Sequence, residues 1–186
     1  MATMKRPLGI SILSVIYMTV GGIGLLVGGL YLLVLSGLVS PEEAEKAREA
    51  VGAAWQVKTG VFILAMMAML AAGIGMWWGE TWGWFLGSLF GMLFIVGSLV
   101  NLMQVMQLLE TVSAEAADET RRQLTQQYVN HVAGMVIYGL IYTYFFKGTV
   151  RTFFRLREWP WWKPVTIHVA ICLAMAGVIR WLVLMA

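Results

Sequence analysis

The sequence predicts an all-α integral membrane protein: a five-span helical bundle with two short extramembrane polar helices and an amphipathic interfacial helix, forming a single transmembrane domain over residues 1–186. Three observations predict it. The chain is 60% hydrophobic and 12% charged, with mean hydropathy +0.77, whereas about a quarter of residues in a soluble domain are charged. Five apolar stretches reach the roughly 20 residues that cross a hydrocarbon core of about 30 Å. Acid-led, capped segments punctuate them.

Span one is placed at residues 8–39. It follows Lys5 and Arg6 as a signal peptide would, but it is too long and lacks an A-x-A-like site, so it reads as a retained span. Next comes SPEEAEKAREAVGAAWQVK. Here Ser40 suits an N-cap, Pro41 the first helical position, and Glu42, Glu43 and Glu45 the first turn, which makes a short extramembrane helix. Spans two and three are placed at residues 59–78 and 81–109, separated by Gly79 and Glu80, so the chain must reverse there as a tight hairpin. Trp77, Trp78, Trp82 and Trp84 crowd this turn. Indole is apolar with one N–H that needs a polar partner, so the cluster reads as an aromatic belt at headgroup depth. A ligand-stacking box is the alternative, and Glu80 is the one charge beside it.

SAEAADETRRQLTQQ repeats the acid-led scheme, with Ser113 as cap, Glu115 early and Arg121 and Arg122 late, and predicts the second polar helix. The alternation of long span, polar helix and shorter span is a weak parallel repeat. Span four is placed at 128–146. After it, Lys147, Arg151 and Arg155 recur every four residues while Val150, Phe153 and Phe154 fall largely on another face, the pattern of an amphipathic helix on the membrane surface. WPWWKP then limits helix and adds Trp159, Trp161 and Trp162 as a second aromatic anchor, before span five at 165–185. Both basic and aromatic groups read as lipid anchors, with partner docking as the sharper alternative.

Orientation follows from the loop cations. With the N-terminus cytoplasmic, Lys5, Arg6, Lys147, Arg151, Arg155, Arg157 and Lys163 lie inside, and Lys46, Arg48, Lys58, Arg121, Arg122 and Arg180 lie outside. The dense late basic loop favours this choice. The C-terminus is then outside, and a bacterial inner membrane is the expected location.

Candidate functional residues are few. Gly75, Gly83, Gly87 and Gly91, with Gly79 between, recur every four residues, and Gly24 and Gly28 form another such pair. The spacing lets helices approach closely, within the chain or toward a second subunit. His131 and His168 invite a haem reading, but they fall at opposite predicted ends of spans four and five, which leaves His168 as a single-ligand pigment or haem candidate. Thirteen methionines suggest soft-metal handling; Met66, Met69 and Met92 share a level, but Met103 and Met106 do not, so adaptable packing is the simpler role. Ser98, Asn101, Gln104 and Gln107 line a solute path, hydrogen-bond to a neighbouring helix or, most simply, given Glu110 just beyond them, mark a helix emerging into water. Within the spans the ionisable residues singled out are His131, His168 and Arg180, all near span ends, which disfavours a proton relay. Cys172 is the single cysteine, so a disulfide framework is excluded. No nucleophile–base pair, phosphate loop or metal-ligand motif stands out, and nucleic-acid binding gains nothing from a net charge of +3.

RPLGISILSVIYMTVGGIGLL, GIGMWWGETWGWFLG and YGLIYTYFFKGTVRTFF together resemble small bacterial multi-pass membrane proteins of uncharacterised function, in which a Trp-Gly-Trp helical hairpin joins two spans. WPWWKP and span five extend beyond the four-span pattern of that group. The expected function is a non-catalytic structural or accessory subunit of a larger membrane assembly, in contact with lipids and with other subunits or further copies of itself. A small uncoupled channel or transporter, and a pigment- or haem-carrying subunit, are the alternatives. No cofactor is expected to be bound by this chain alone.

Overall fold

The computed structural model describes residues 5–38, 40–52, 55–111 and 118–185, and for residues 51, 111, 118–119 and 178–185 the backbone alone. The described residues form seven helices and no strand: α1 (Leu8–Ser36), α2 (Pro41–Val51), α3 (Trp55–Trp78), α4 (Thr81–Thr111), α5 (Asp118–Phe145), α6 (Gly148–Phe153) and α7 (Trp162–Met185). Three of them, Leu8–Ser36, Trp55–Trp78 and Thr81–Glu110, are long and apolar enough to cross a membrane, and a shorter apolar stretch covers Trp162–Gly177. Among the described residues, three of the five expected spans thus qualify by length and composition.

α1 stops at Ser36, short of the expected 39. Gly37 adopts φ 80°, and its N–H bonds to the Val34 carbonyl, closing the helix with the left-handed residue that glycine tolerates best. α2 forms as its sequence requires. The Ser40 side chain accepts from the Glu43 N–H at 3.4 Å, Pro41 opens the helix, and Glu42 and Glu43 occupy the positive end of the helix dipole. Arg48 then folds back: its Nε donates to the Leu35 carbonyl at 2.7 Å, satisfying one of the orphan carbonyls at the end of α1, while the guanidinium lies over the Trp55 ring. One arginine therefore ties α1, α2 and the start of α3 together.

The second polar helix is not separate. Ser113 and Glu115, its expected start, lie outside the described residues, but from Asp118 the polar segment runs without a break into the apolar part of α5. Nothing in DETRRQLTQQYVNH interrupts a helix: there is no proline or glycine. Arg121 and Arg122 thus begin a long helix rather than end a short one.

α1 lies along α3, α3 along α4, and α4 along α5; α7 rests mainly on α4. Tyr17 of α1 reaches across to donate to the Gly87 carbonyl of α4 at 3.0 Å. The buried core gathers where α1 begins, where α3 turns into α4 and where α5 passes through α6 into α7, around Ile10, Met76, Trp84, Phe145 and Phe154. This is the turn end of the bundle; α2 marks the other. Outward faces of α1 are apolar and bare, with Leu26 71% and Leu30 64% exposed. A water-soluble helix would place polar residues there, whereas hydrocarbon accepts apolar side chains such as these leucines.

Candidate functional site

The turn end brings together most of the residues singled out in the sequence. α3 ends in a Schellman motif: Gly79, at φ 75°, donates to the Met76 carbonyl, and the Glu80 N–H reaches the Gly75 carbonyl at 2.9 Å. α4 restarts at once. The reversal is so tight that Gly83 lies against Gly75 backbone to backbone, with the Trp82 ring also on Gly75. Further along, Gly87 faces Met76 and Phe145, Gly91 faces Tyr142, Gly24 faces Met66, and Gly28 faces Phe62 and Ile63. Each glycine of the expected packing rows therefore meets a neighbour within the same chain.

The tryptophan cluster divides. Trp77, Trp78 and Trp82 are exposed at the turn, but Trp84 is 2% exposed. Its indole N–H donates to the Phe145 carbonyl at 2.9 Å, and Phe146 packs edge-on against the ring at 5.5 Å. Trp84 is thus a core residue that joins α4 to the end of α5, not an anchor in the interface. The Phe145 carbonyl needs a partner because it lies in the last turn of α5, where no intrahelical N–H follows. Trp77 carries a second contact: the Arg6 guanidinium stacks over it, 4.1 Å from the ring centroid.

The connector after α5 differs from the expected surface helix. α6 has six residues, and Val150 and Phe154 are fully buried among the core side chains. Thr81 of α4 donates to the Phe154 carbonyl at 3.1 Å, which fastens the connector to the hairpin. Lys147 is exposed at the start of α6, its ammonium 5.5 Å from the Tyr144 ring centroid. Arg151 donates from Nη2 to the Leu156 carbonyl at 3.0 Å and to the Trp159 carbonyl, so this nitrogen braces the chain's own backbone. Arg155 lies beyond the helix at φ 60°. Its N–H bonds to Thr152, and the next N–H reaches Arg151, the same motif that glycine serves at position 79. The four-residue cation row is therefore broken by a turn. Since a side chain in the left-handed region costs about 1–2 kcal/mol, and glycine loses part of that gain through its freer unfolded chain, Arg155→Gly is expected to stabilise the fold by roughly 0.5 kcal/mol or more. Reversible unfolding in lipid micelles measures this; a net loss would show that the Arg155 cation outweighs the turn.

Trp159, Trp161 and Trp162 are exposed. α7 begins inside WPWWKP rather than after it: Pro164 sits in the first turn, where its missing N–H has no partner to lose.

His168 is fully buried, with Nδ1 3.2 Å from the Tyr142 hydroxyl and the Phe85 ring 4.7 Å away, centroid to centroid. Cys172 is one turn further along α7, also buried. Phe85 and Tyr142 flank the imidazole, with ring centroids 4.7 and 6.0 Å away. His131 stands 11 residues before Tyr142 on α5, roughly 16 Å along the axis at 1.5 Å per residue. The two histidines therefore do not share a level, and of the two His168 ring nitrogens Nδ1 is engaged by Tyr142 while Nε2 is buried without a hydrogen-bond partner among the described residues. The geometry around His168 fits a polar rivet between α7, α5 and α4. Met69 and Met76 are buried in the core, Met66 sits on Gly24, and Met103 and Met106 are exposed, so the methionines are dispersed as fillers. Asn101, Gln104 and Gln107 are exposed near the end of α4 and do not converge on an interior path; Ser98 lies against Gly134 of α5.

Sequence reasoning missed three connections here: Tyr17 to Gly87, Arg48 to Leu35, and Arg6 to Trp77. Each joins residues 13 to 71 positions apart, and the one local signal was a lone polar or cationic group in or beside an apolar run. No family model, curated protein or solved structure matches this chain.

Proposed function

We propose that this chain is a non-catalytic structural or accessory subunit of a larger assembly in a bacterial inner membrane, with α5 and α7 as its fourth and fifth crossings. One observation carries the reading. α7 joins the bundle along a narrow strip that includes His168, while Ile167, Val169, Leu173 and Met175 on its other faces are exposed. Helices in lipid associate through close packing and interhelical hydrogen bonds, since hydrocarbon itself covers apolar side chains equally well. An apolar helix fastened by one strip is an arm with packing surface to spare, suited to a second subunit. The polar groups at the turn end support the same reading: Tyr17, Thr81, Trp84 and Arg151 each donate to a backbone carbonyl of another element or of the connector, and so serve to hold helices together. The exposure of Asn101 and Gln104 leaves a channel without a lining.

The orientation that goes with this proposal has the N-terminus and the turn end on the cytoplasmic side and the C-terminus outside. Gentle solubilisation of native membranes, followed by mass measurement of the purified complex, is expected to give a species heavier than the chain and its bound lipid. Cysteine placed at position 46 is expected to react with an impermeant reagent from the outside. A lone monomer that conducts solute in liposomes, with flux abolished by Asn101→Leu and Gln104→Leu, would replace the subunit reading with the channel. Labelling at 46 from the cytoplasmic side alone would invert the topology.

A further inference from the structure

Between the start of α1 and α6, at the turn end, runs an open cleft of about 700 Å³. Lys5 and Arg6 form one wall, and Thr149, Thr152 and Phe153 the other. No carboxylate lines it, and among the described residues neither Lys5 nor Arg6 forms an ion pair. Arg6 is held in place by Trp77, and its Nε is buried without a hydrogen-bond partner. The Thr152 hydroxyl hydrogen is committed to the Gly148 carbonyl at 2.8 Å, so Thr149, exposed beside it, is the hydroxyl left to donate into the cleft.

A second depression lies next to the first, between α1 and α5. It is an apolar groove of about 300 Å³ whose walls are Gly9 and Ile12 on one side and Leu140 and Tyr144 on the other. Gly9 makes it possible, because a Cβ there would collide with the Tyr144 ring. From Leu8, the first residue of α1, to Ile12 the chain descends roughly 6 Å at helical rise, about the depth from the headgroup layer into the acyl region. The cationic cleft and the apolar groove are lined by neighbouring stretches of the chain, Pro7 and Gly148 in the first and Gly9 and Tyr144 in the second, and the exposed Trp77 and Trp78 lie at the same end.

We propose that this composite depression is a binding site for one anionic phospholipid. The phosphate ester lies against Lys5, Arg6 and the Thr149 hydroxyl, and the first part of an acyl chain lies in the groove between Ile12 and Tyr144. Arginine suits this role because its planar fork meets phosphate oxygens in pairs, and stacking on indole fixes the fork before the ligand arrives. A lipid is favoured over a free phosphate ion because the apolar groove neighbours the cation pair. The site requires the membrane reading of the chain but not the subunit reading: it forms from α1, α5 and α6 of a single copy.

The test uses the full chain in micelles containing equimolar phosphatidylglycerol and phosphatidylcholine of identical chains, with native mass spectrometry counting retained lipid. One phosphatidylglycerol is expected to stay bound in preference to phosphatidylcholine. Lys5→Gln with Arg6→Gln is expected to weaken its retention by about tenfold or more, the scale of losing one charge-assisted contact, while Lys46→Gln at the other end leaves it unchanged. Ile12→Trp, at an exposed position, is expected to reduce retention by filling the groove, and it decides the matter if the double variant does not fold. Equal retention of both lipids, undiminished retention in the double variant or in Ile12→Trp, or full displacement by inorganic phosphate overturns the proposal; the last outcome would leave a phosphate-ion site. Because lipid is counted on the monomer, failure here is distinguishable from failure to find a partner subunit.

Discussion

Trp84→Ala is expected to destabilise the bundle by about 3–5 kcal/mol, the range for removing a large aromatic from a packed core, whereas Trp78→Ala six residues earlier is expected to change stability little. The contrast follows from position: Trp84 is 2% exposed and Trp78 70% exposed. Trp84 fills the junction between α4, the end of α5 and the connector, and its N–H is the partner of the Phe145 carbonyl. Trp84→Phe separates these contributions. It keeps an aromatic ring but leaves that carbonyl unbonded, and hydrogen bonds between membrane helices average about 0.6 kcal/mol, because the unfolded chain in lipid finds other partners. A loss of roughly 1–2 kcal/mol is therefore expected, allowing for the smaller ring. Reversible unfolding in mixed micelles measures all three variants. Equal losses for Trp84→Ala and Trp78→Ala would return Trp84 to the interface belt with its neighbours.

Gly83→Ala is the second large effect, with an expected loss of about 3 kcal/mol. A methyl group at this position falls on the Gly75 carbonyl carbon and the Met76 nitrogen, both backbone atoms of α3. A flexible side chain could swing aside, but a helix backbone yields only by moving the whole element, and Gly79 allows little slack in the turn. α3 and α4 must then separate at the point where Trp82 and Met76 also meet them. Gly97→Ala is the matched control, since a methyl there has nothing within 4 Å and alanine is the better helix former by up to about 1 kcal/mol. It is expected to be neutral or mildly stabilising. A Gly83→Ala protein as stable as the Gly97→Ala protein would mean that the two helices are not in backbone contact.

The close-packing role of the glycines was legible in the four-residue spacing; their partners were not. Gly75 and Gly83 belong to one row in the sequence, yet they lie on opposite sides of the turn and face each other because Gly79 reverses the chain between them. The basic row of Lys147, Arg151 and Arg155 failed as a helix face for a related reason. Its periodicity was genuine, but the chain breaks after Phe153, where burial of Phe154 and the Schellman bonds outweigh helix continuation. The second polar helix failed in the opposite sense, because acidic residues at its start suggested a cap while nothing downstream stopped the helix from running on.

By itself the sequence determined that this chain is apolar enough for a membrane, that its segments are helical, that α2 begins at a Ser-Pro cap, and that α3 and α4 form a hairpin about Gly79. These features rest on neighbours along the chain and on total apolar content. Tertiary structure alone decided which tryptophan turns inward, which cation stacks on Trp77 and which braces backbone carbonyls, and that His168 meets Tyr142 instead of His131. The physical reason is the solvent. In water, an apolar face marks the inside of a fold; in hydrocarbon, inside and outside are equally apolar, so the hydrophobic pattern that sorts a soluble helix carries little contrast here. What remains to fix the arrangement is shape and hydrogen bonding between residues far apart in the chain, and these become defined when the helices meet.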